Sequence, residues 1–228
     1  MGTTTETGYS QQVSYNGSSI VLPKEQNSGI KVDTVAPTFG WKDITGILYP
    51  DTGGANAPAL GTFRGGNIRR FSYAVADKCD CEFHIPHDYA MGTDVYVHVH
   101  WSHNGTAISG NMVFTIAHSY AKGHNQGEAS VYPAEKTVVL TYVTTNIATT
   151  PQYIHRVDEV AISSAGGSAT LMDTAAIEPD GVIAINLTTT TIPTITGGSP
   201  NEPFIFHIDL HYQSTQTATK NKSPDFWT

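Results

Sequence analysis

The stretch Gly92-Thr-Asp-Val-Tyr-Val-His98-Val-His100-Trp101 decides the fold. Apolar and polar residues alternate with a period of two, and in a strand successive side chains point to opposite faces. Val95, Val97, Val99 and Trp101 therefore share one face, and Asp94, Tyr96, His98 and His100 share the other. Phe206-His207-Ile208-Asp209-Leu210-His211-Tyr212 repeats the pattern near the other end. It turns Phe206, Ile208, Leu210 and Tyr212 inward and His207, Asp209 and His211 outward. Two strands far apart in sequence thus each carry a histidine-lined face. Such a face is either a metal or catalytic site inside a barrel or a polar seam between subunits.

Working outward from these two runs, strand-like segments follow one another between turn residues, near 68–75, 79–85, 93–102, 111–121, 136–145, 153–163, 181–190 and 203–215. Eight such strands with short connections predict an all-β protein, an antiparallel two-sheet sandwich of jelly-roll type. Asn104-Gly105 is the strongest hairpin signal in the chain. The only helical turn expected lies around Met172 to Ala176. Residues 1–40 are rich in Gly, Ser, Thr and Asn and bury too little to fold alone, so they read as an extended N-terminal arm. The sandwich then spans 41–216 and a C-terminal tail 217–228. Phe226 and Trp227 close that tail, an unusual place for two aromatics, and are candidate anchors into a neighbouring subunit.

The 228 residues suffice for one large β domain with a real core. Only 14% of them are charged and the formal net charge is −8, which argues against nucleic acid or an anionic membrane as partner. No apolar run reaches membrane-spanning length, and Met1 to Gly8 shows neither the basic nor the apolar region of a signal peptide. Synthesis in a cytosol without membrane insertion is the expectation. The only cysteines, Cys79 and Cys81, would share a strand face in poor geometry for a disulfide.

Several constellations bear on chemistry. His98, His100, His207, Asp209 and His211 offer ligand types that suit a divalent metal, structural and at a subunit seam, with no other cofactor expected. Gly92-x5-His98-x-His100 resembles the opening half of the cupin metal motif, which implies a divalent metal inside a barrel. Asn104 and Gly105 stand where that family places Glu and Gly, and its second motif has no counterpart here. In a sandwich, moreover, the Val and Ile/Leu faces must be buried, which points the histidines away from the core. Cys81-x-x-His84-x-x-His87 has borderline ligands, but Cys81 and His84 face opposite ways in a strand, so it reads as structural. Asp158 and Glu159 are neighbours on a strand and cannot be the paired carboxylates of a glycosidase. No nucleophile elbow surrounds Ser163-Ser164.

The opening Trp41-Lys-Asp-Ile, the strand His84-Ile-Pro-His-Asp-Tyr89 with Val97-His-Val-His-Trp101, and the close His207-Ile-Asp-Leu-His-Tyr-Gln-Ser-Thr215 with Thr219-Lys-Asn-Lys-Ser-Pro-Asp-Phe-Trp227 resemble structural proteins of tailed bacteriophages. The resemblance covers about residue 41 to the end and implies a virion component: a head decoration, neck or tail protein. It implies assembly with itself as a symmetric trimer or ring, contacts with other virion proteins, and no catalytic residue. Two other readings stand beside it. One is a fibre or spike module that binds a host surface glycan, with Tyr96, Tyr120 and Tyr132 as a sugar platform. The other is a cupin-like metalloenzyme with His98, His100, His207 and His211 as ligands.

Overall fold

The computed structural model describes residues 39–144 and 150–215, together with the strand assignment of residues 14–15 and 20–21. The chain divides into two units, Met1–Thr38 and Phe39–Thr228. In the first, β1 (Ser14–Tyr15) and β2 (Ile20–Val21) pair antiparallel. The rest of the expected arm, and the expected tail with Phe226 and Trp227, lie outside the described residues.

The second unit carries β3 (Gly40–Gly46), β4 (Tyr49–Pro50), β5 (Ala59–Thr62), β6 (Arg69–Ser72), β7 (Lys78–His84), β8 (Val95–Ser102), β9 (Ala107–Ala121), β10 (Lys136–Thr144), β11 (Arg156–Ala161), β12 (Ser163–Ser164), β13 (Met172–Asp173), β14 (Val182–Thr191), β15 (Thr194–Thr196) and β16 (Phe204–Ser214). One sheet runs β10-β9-β14-β7-β4, with β15 also on β9; the other runs β11-β8-β16-β6-β5, with β3 also on β16. Pairing within both is antiparallel. The chain changes sheet between β7 and β8, between β8 and β9, and again between β10 and β11. The result is a two-sheet sandwich of jelly-roll type. The expected helical turn is a single 3-10 turn, Thr174–Ala176, capped by Asp173, whose carboxylate accepts from the Ala175 N–H at 3.0 Å.

Strand alternation builds the core. Val95, Val97, Val99 and Trp101 of β8 are fully buried among Phe114, Ile116, Phe83, Ile183, Ile185 and Leu187. Burial of each such valine contributes about 1.5–3 kcal/mol. The one polar atom of Trp101 is satisfied: its indole N–H donates to Asp158 at 2.6 Å, and Arg156 pairs with that same carboxylate at 2.9 Å. Cys79 and Cys81 point inward as free thiols, which burial pushes up to about 12.

Three features depart from the sequence reading. Phe206 was expected inward, but a bulge between Ile205 and His207 puts Ile205 in the core. Phe206 sits beside His155 and Arg70 instead. Asn104-Gly105 does not close a hairpin, because β8 and β9 belong to different sheets. The Asn104 side chain is taken up in crossing between them, donating to the carbonyls of Thr62 and Ser199 and accepting from the Arg64 N–H. Trp41 to Thr45, outside the strand-like segments expected from sequence, form most of the seven-residue strand β3. That strand needs Gly46 at its end, where a Cβ would lie 2.2 Å from the Cys81 sulfur and 2.8 Å from the Phe83 ring.

The two outer faces differ in chemistry. On the first sheet, Thr137, Val139, Thr141 and Val143 of β10 flank Val113, Thr115 and Ala117 of β9 and Ala184, Asn186 and Thr188 of β14, none of them charged, and Lys78, Asp80, Glu82 and His84 of β7 bring charge to the same face. The outer face of the second sheet carries the histidines.

Candidate functional site: the imidazole face

Cross-strand register assembles this face. β8 and β16 are neighbours, which brings the two histidine runs side by side: His207 lies opposite His100, Asp209 opposite His98, and His211 opposite Tyr96. β11 adds Glu159 opposite His98, and β3 adds Asp43 opposite His211. One row across the sheet therefore reads Thr45, Asp209, His98, Glu159.

His98 is clamped by charge. Its Nε2 lies 2.8 Å from Glu159 and its Nδ1 3.0 Å from Asp209, so both ring nitrogens face carboxylates. Burial works against a cation there, but the two carboxylates outweigh it and raise the pKa to about 9. Asp209 is buried as well, yet hydrogen bonds and charge from His100 and His98 hold its carboxyl well below the usual range. Asp209 Oδ2 accepts from His100 Nε2 at 2.7 Å. Its Oδ1 pairs with His98 Nδ1 at 3.0 Å.

The remaining rings lock together by stacking. His100 Nδ1 and His155 Nε2 are 2.8 Å apart, so one of these facing nitrogens accepts and the other donates. Burial, followed by the positive charge His100 can carry, lowers the pKa of both His155 and His207. The His207 ring stacks on His100 at 3.9 Å between centroids, and His98 stacks on His211 at 4.4 Å. The Trp41 indole lies on His211 at 4.7 Å, within 5° of parallel, and Asp43 hydrogen-bonds to His211 Nδ1. Mutual cover leaves His100 at 8%, Asp209 at 4% and His211 at 3% exposure, although all three sit on an outer face.

All five residues read from sequence as candidate ligands meet here. Two ligand sets have their atoms within 4.8 Å of one another: Asp43, His98 and His211, and His98, His100 and Asp209. His207 joins neither set. Both sets use His98, so an ion must first displace a proton bound with a pKa of about 9. At pH 7 that costs about two decades of affinity. Sequence reasoning missed Asp43, Trp41 and His155 as members of the face. It had noted Glu159, but only as half of an acidic pair.

Other expectations fall differently. Tyr96, Tyr120 and Tyr132 form no common platform: Tyr120 is buried, its hydroxyl accepts from the Glu178 N–H, and Tyr96 lies on the other sheet. The histidines of the cupin-like segment stand outside the sandwich, because Val97, Val99 and Trp101 fill the space between the sheets. Cavities of about 300 and 560 Å³ are lined by residues away from the face, the first around His118, Met172 and Val131 and the second around Leu60, Asp77 and Pro200.

No family model and no curated protein matches the chain. Among solved structures, it is similar to the N-terminal CBM22-1–GH10 modules of the Clostridium thermocellum endo-1,4-β-D-xylanase 10B, crystallised with xylohexaose. Identity is 12% over 79% of this chain, with a TM-score of 0.31, and the match spans 28% of the xylanase chain.

Proposed function

We propose that the protein is a structural component of a phage particle, a head decoration, neck or tail subunit, that assembles with copies of itself through the imidazole face. The observation that carries this reading is the closure of that face. A turnover site holds its polar groups at the edge of a cleft that engulfs a substrate. Here both nitrogens of His98 and His100 and Nδ1 of His211 face a carboxylate or another ring, stacking leaves His100 and His211 buried, and His211 Nε2 is buried without a hydrogen bond. Flat aromatic surface with its charges paired is what the centre of a protein interface needs. Exposed Val157, opposite His100, and the half-exposed Asp43 carboxylate supply the rim. The sequence resemblance to phage structural proteins supports the same reading.

The test is the mass of the purified full chain in solution by light scattering, together with its detection by mass spectrometry in purified particles. A trimer or larger ring is expected, reduced to monomer by Val157→Arg with the circular dichroism unchanged. A native protein that stays monomeric, or one absent from particles, would overturn the reading.

A further inference from the structure

Within the imidazole face, three ligand groups converge from two neighbouring strands. His98 and His100 project from the same side of β8, two residues apart, and Asp209 projects from β16 opposite His98. His98 Nδ1 lies 3.0 Å from Asp209 Oδ1, and His100 Nε2 lies 2.7 Å from Asp209 Oδ2. The ligand atoms of these three residues all lie within 4.8 Å of one another. The His98 and His100 rings are inclined at 58°, so their planes converge. Backbone pairing holds this arrangement: β8 is bonded to β11 on one side and β16 on the other, and strands place side chains more precisely than loops do.

The far side of each ring is held as well. His98 Nε2 lies 2.8 Å from Glu159 Oε2, and His100 Nδ1 lies 2.8 Å from His155 Nε2. Protonated at those far positions, His98 donates to Glu159 and His100 donates to His155, which burial keeps neutral and able to accept. The lone pairs of His98 Nδ1 and His100 Nε2 then turn toward Asp209. Metal-binding imidazoles characteristically have the remote nitrogen anchored in this way, which fixes tautomer and ring orientation, and here both rings are anchored. The charge count points the same way. Asp209, Glu159 and Asp43 lie 3.0, 2.8 and 3.8 Å from the ring nitrogens of His98. An imidazolium at His98 offsets one of those three negative charges, whereas a dication beside neutral rings offsets two.

We propose that His98 Nδ1, His100 Nε2 and the Asp209 carboxylate bind one transition-metal dication such as zinc, with Glu159 and His155 as the outer partners that orient the two rings. Two imidazoles and a carboxylate, completed by water, form a donor set that suits zinc. Ligand atoms around a tetrahedral zinc, at bond lengths near 2.0–2.2 Å, stand about 3.3 Å apart. The pairs at 3.0 and 2.7 Å open by about 0.3–0.6 Å to admit the ion. The ion takes the place of the proton between His98 and Asp209. The other ligand set, Asp43, His98 and His211, is less suited, because the His98 and His211 rings stack within 28° of parallel and their lone pairs do not converge. All three ligands come from one chain, so the site stands whether or not copies associate through this face.

The test is isothermal titration of the full-length, chelator-treated protein with zinc chloride at about pH 8, where fewer protons compete for His98 than at about pH 7. It is repeated on His98→Gln, Asp209→Asn and Glu159→Gln, with circular dichroism to check each fold. One zinc per chain is expected, lost or weakened at least about 100-fold in His98→Gln and Asp209→Asn, and about 10–100-fold in Glu159→Gln. X-ray absorption at the zinc edge of the native complex, which needs no variant, should show scattering from imidazole ligands. Light scattering on the same sample reads assembly separately: a monomer that binds zinc upholds the site and counts only against assembly. Absence of zinc uptake, undiminished uptake by His98→Gln and Asp209→Asn, or a zinc edge without imidazole scattering would each overturn the proposal.

Discussion

Raising the pH should strip the imidazole face of its central proton and weaken the fold. His98 lies between Glu159 at 2.8 Å and Asp209 at 3.0 Å; burial opposes its charge, but the two carboxylates raise its pKa from 6.5 to about 9. A group whose folded pKa is raised stabilises the fold fully below its unfolded pKa and loses that contribution as pH rises through the folded value. With values of 6.5 and about 9, the contribution is about 3 kcal/mol at low pH, about 2.5 kcal/mol at pH 7 and close to zero by about pH 10. The assay is urea unfolding of the native protein and of His98→Gln across that range. Glutamine keeps a hydrogen-bonding side chain but cannot carry the charge. Lysines and tyrosines titrate in both proteins and cancel in the difference. The stability gap between them should therefore narrow by about 2.5 kcal/mol from pH 7 to pH 10. A gap that stays constant over this window would show that His98 is not held as a cation, and the account of the face would fall with it.

Three further outcomes follow from the packing and the titrating groups. Gly46→Ala would push a methyl against the Cys81 sulfur and Phe83, so it should cost about 1–3 kcal/mol in chemical denaturation; an unchanged midpoint would mean that β3 shifts freely. His118 is buried, which lowers its pKa, so its neutral form supports the fold above about pH 6.5 and that support is lost as the pH falls below it. His118→Gln should accordingly flatten the acid side of the stability curve, and an acid limb as steep as the native one would refute this. Asp88→Ala removes the acceptor for Lys42, for the Tyr212 hydroxyl at 3.0 Å and for the Ser214 hydroxyl at 2.7 Å, and should destabilise by about 1–3 kcal/mol in thermal unfolding.

Much of this architecture is legible from alternation alone. The inward Val95, Val97, Val99 and Trp101 and the outward His98 and His100 follow from a period of two, because a fully buried face leaves no other register for the strand. Pairing is another matter. That β8 lies beside β16, so that Asp209 meets His98, depends on where distant strands dock, and no local signal encodes it. β3 escaped notice because Gly40-Trp-Lys-Asp-Ile-Thr-Gly46 is half-buried along most of its length and lacks a clean apolar stripe. The Asn104-Gly105 signal misled for a physical reason: its side chain bonds to remote carbonyls rather than to its own turn.

The unlike outsides of the sandwich bear on how subunits can stack. On one, the uncharged Thr, Val and Ala of β10, β9 and β14 give way to Lys78, Asp80, Glu82 and His84 on β7; the other is a mosaic of imidazole and carboxylate. In a closed ring the contacts are heterologous, so the imidazole face of one subunit meets a different surface of the next. A subunit of this kind therefore has an up and a down, with stacked and carboxylate-clamped imidazoles on one outer face. An assembly built from it would inherit that polarity, and a rise in pH through the range in which His98 loses its proton would act first on the joints that the imidazole face makes.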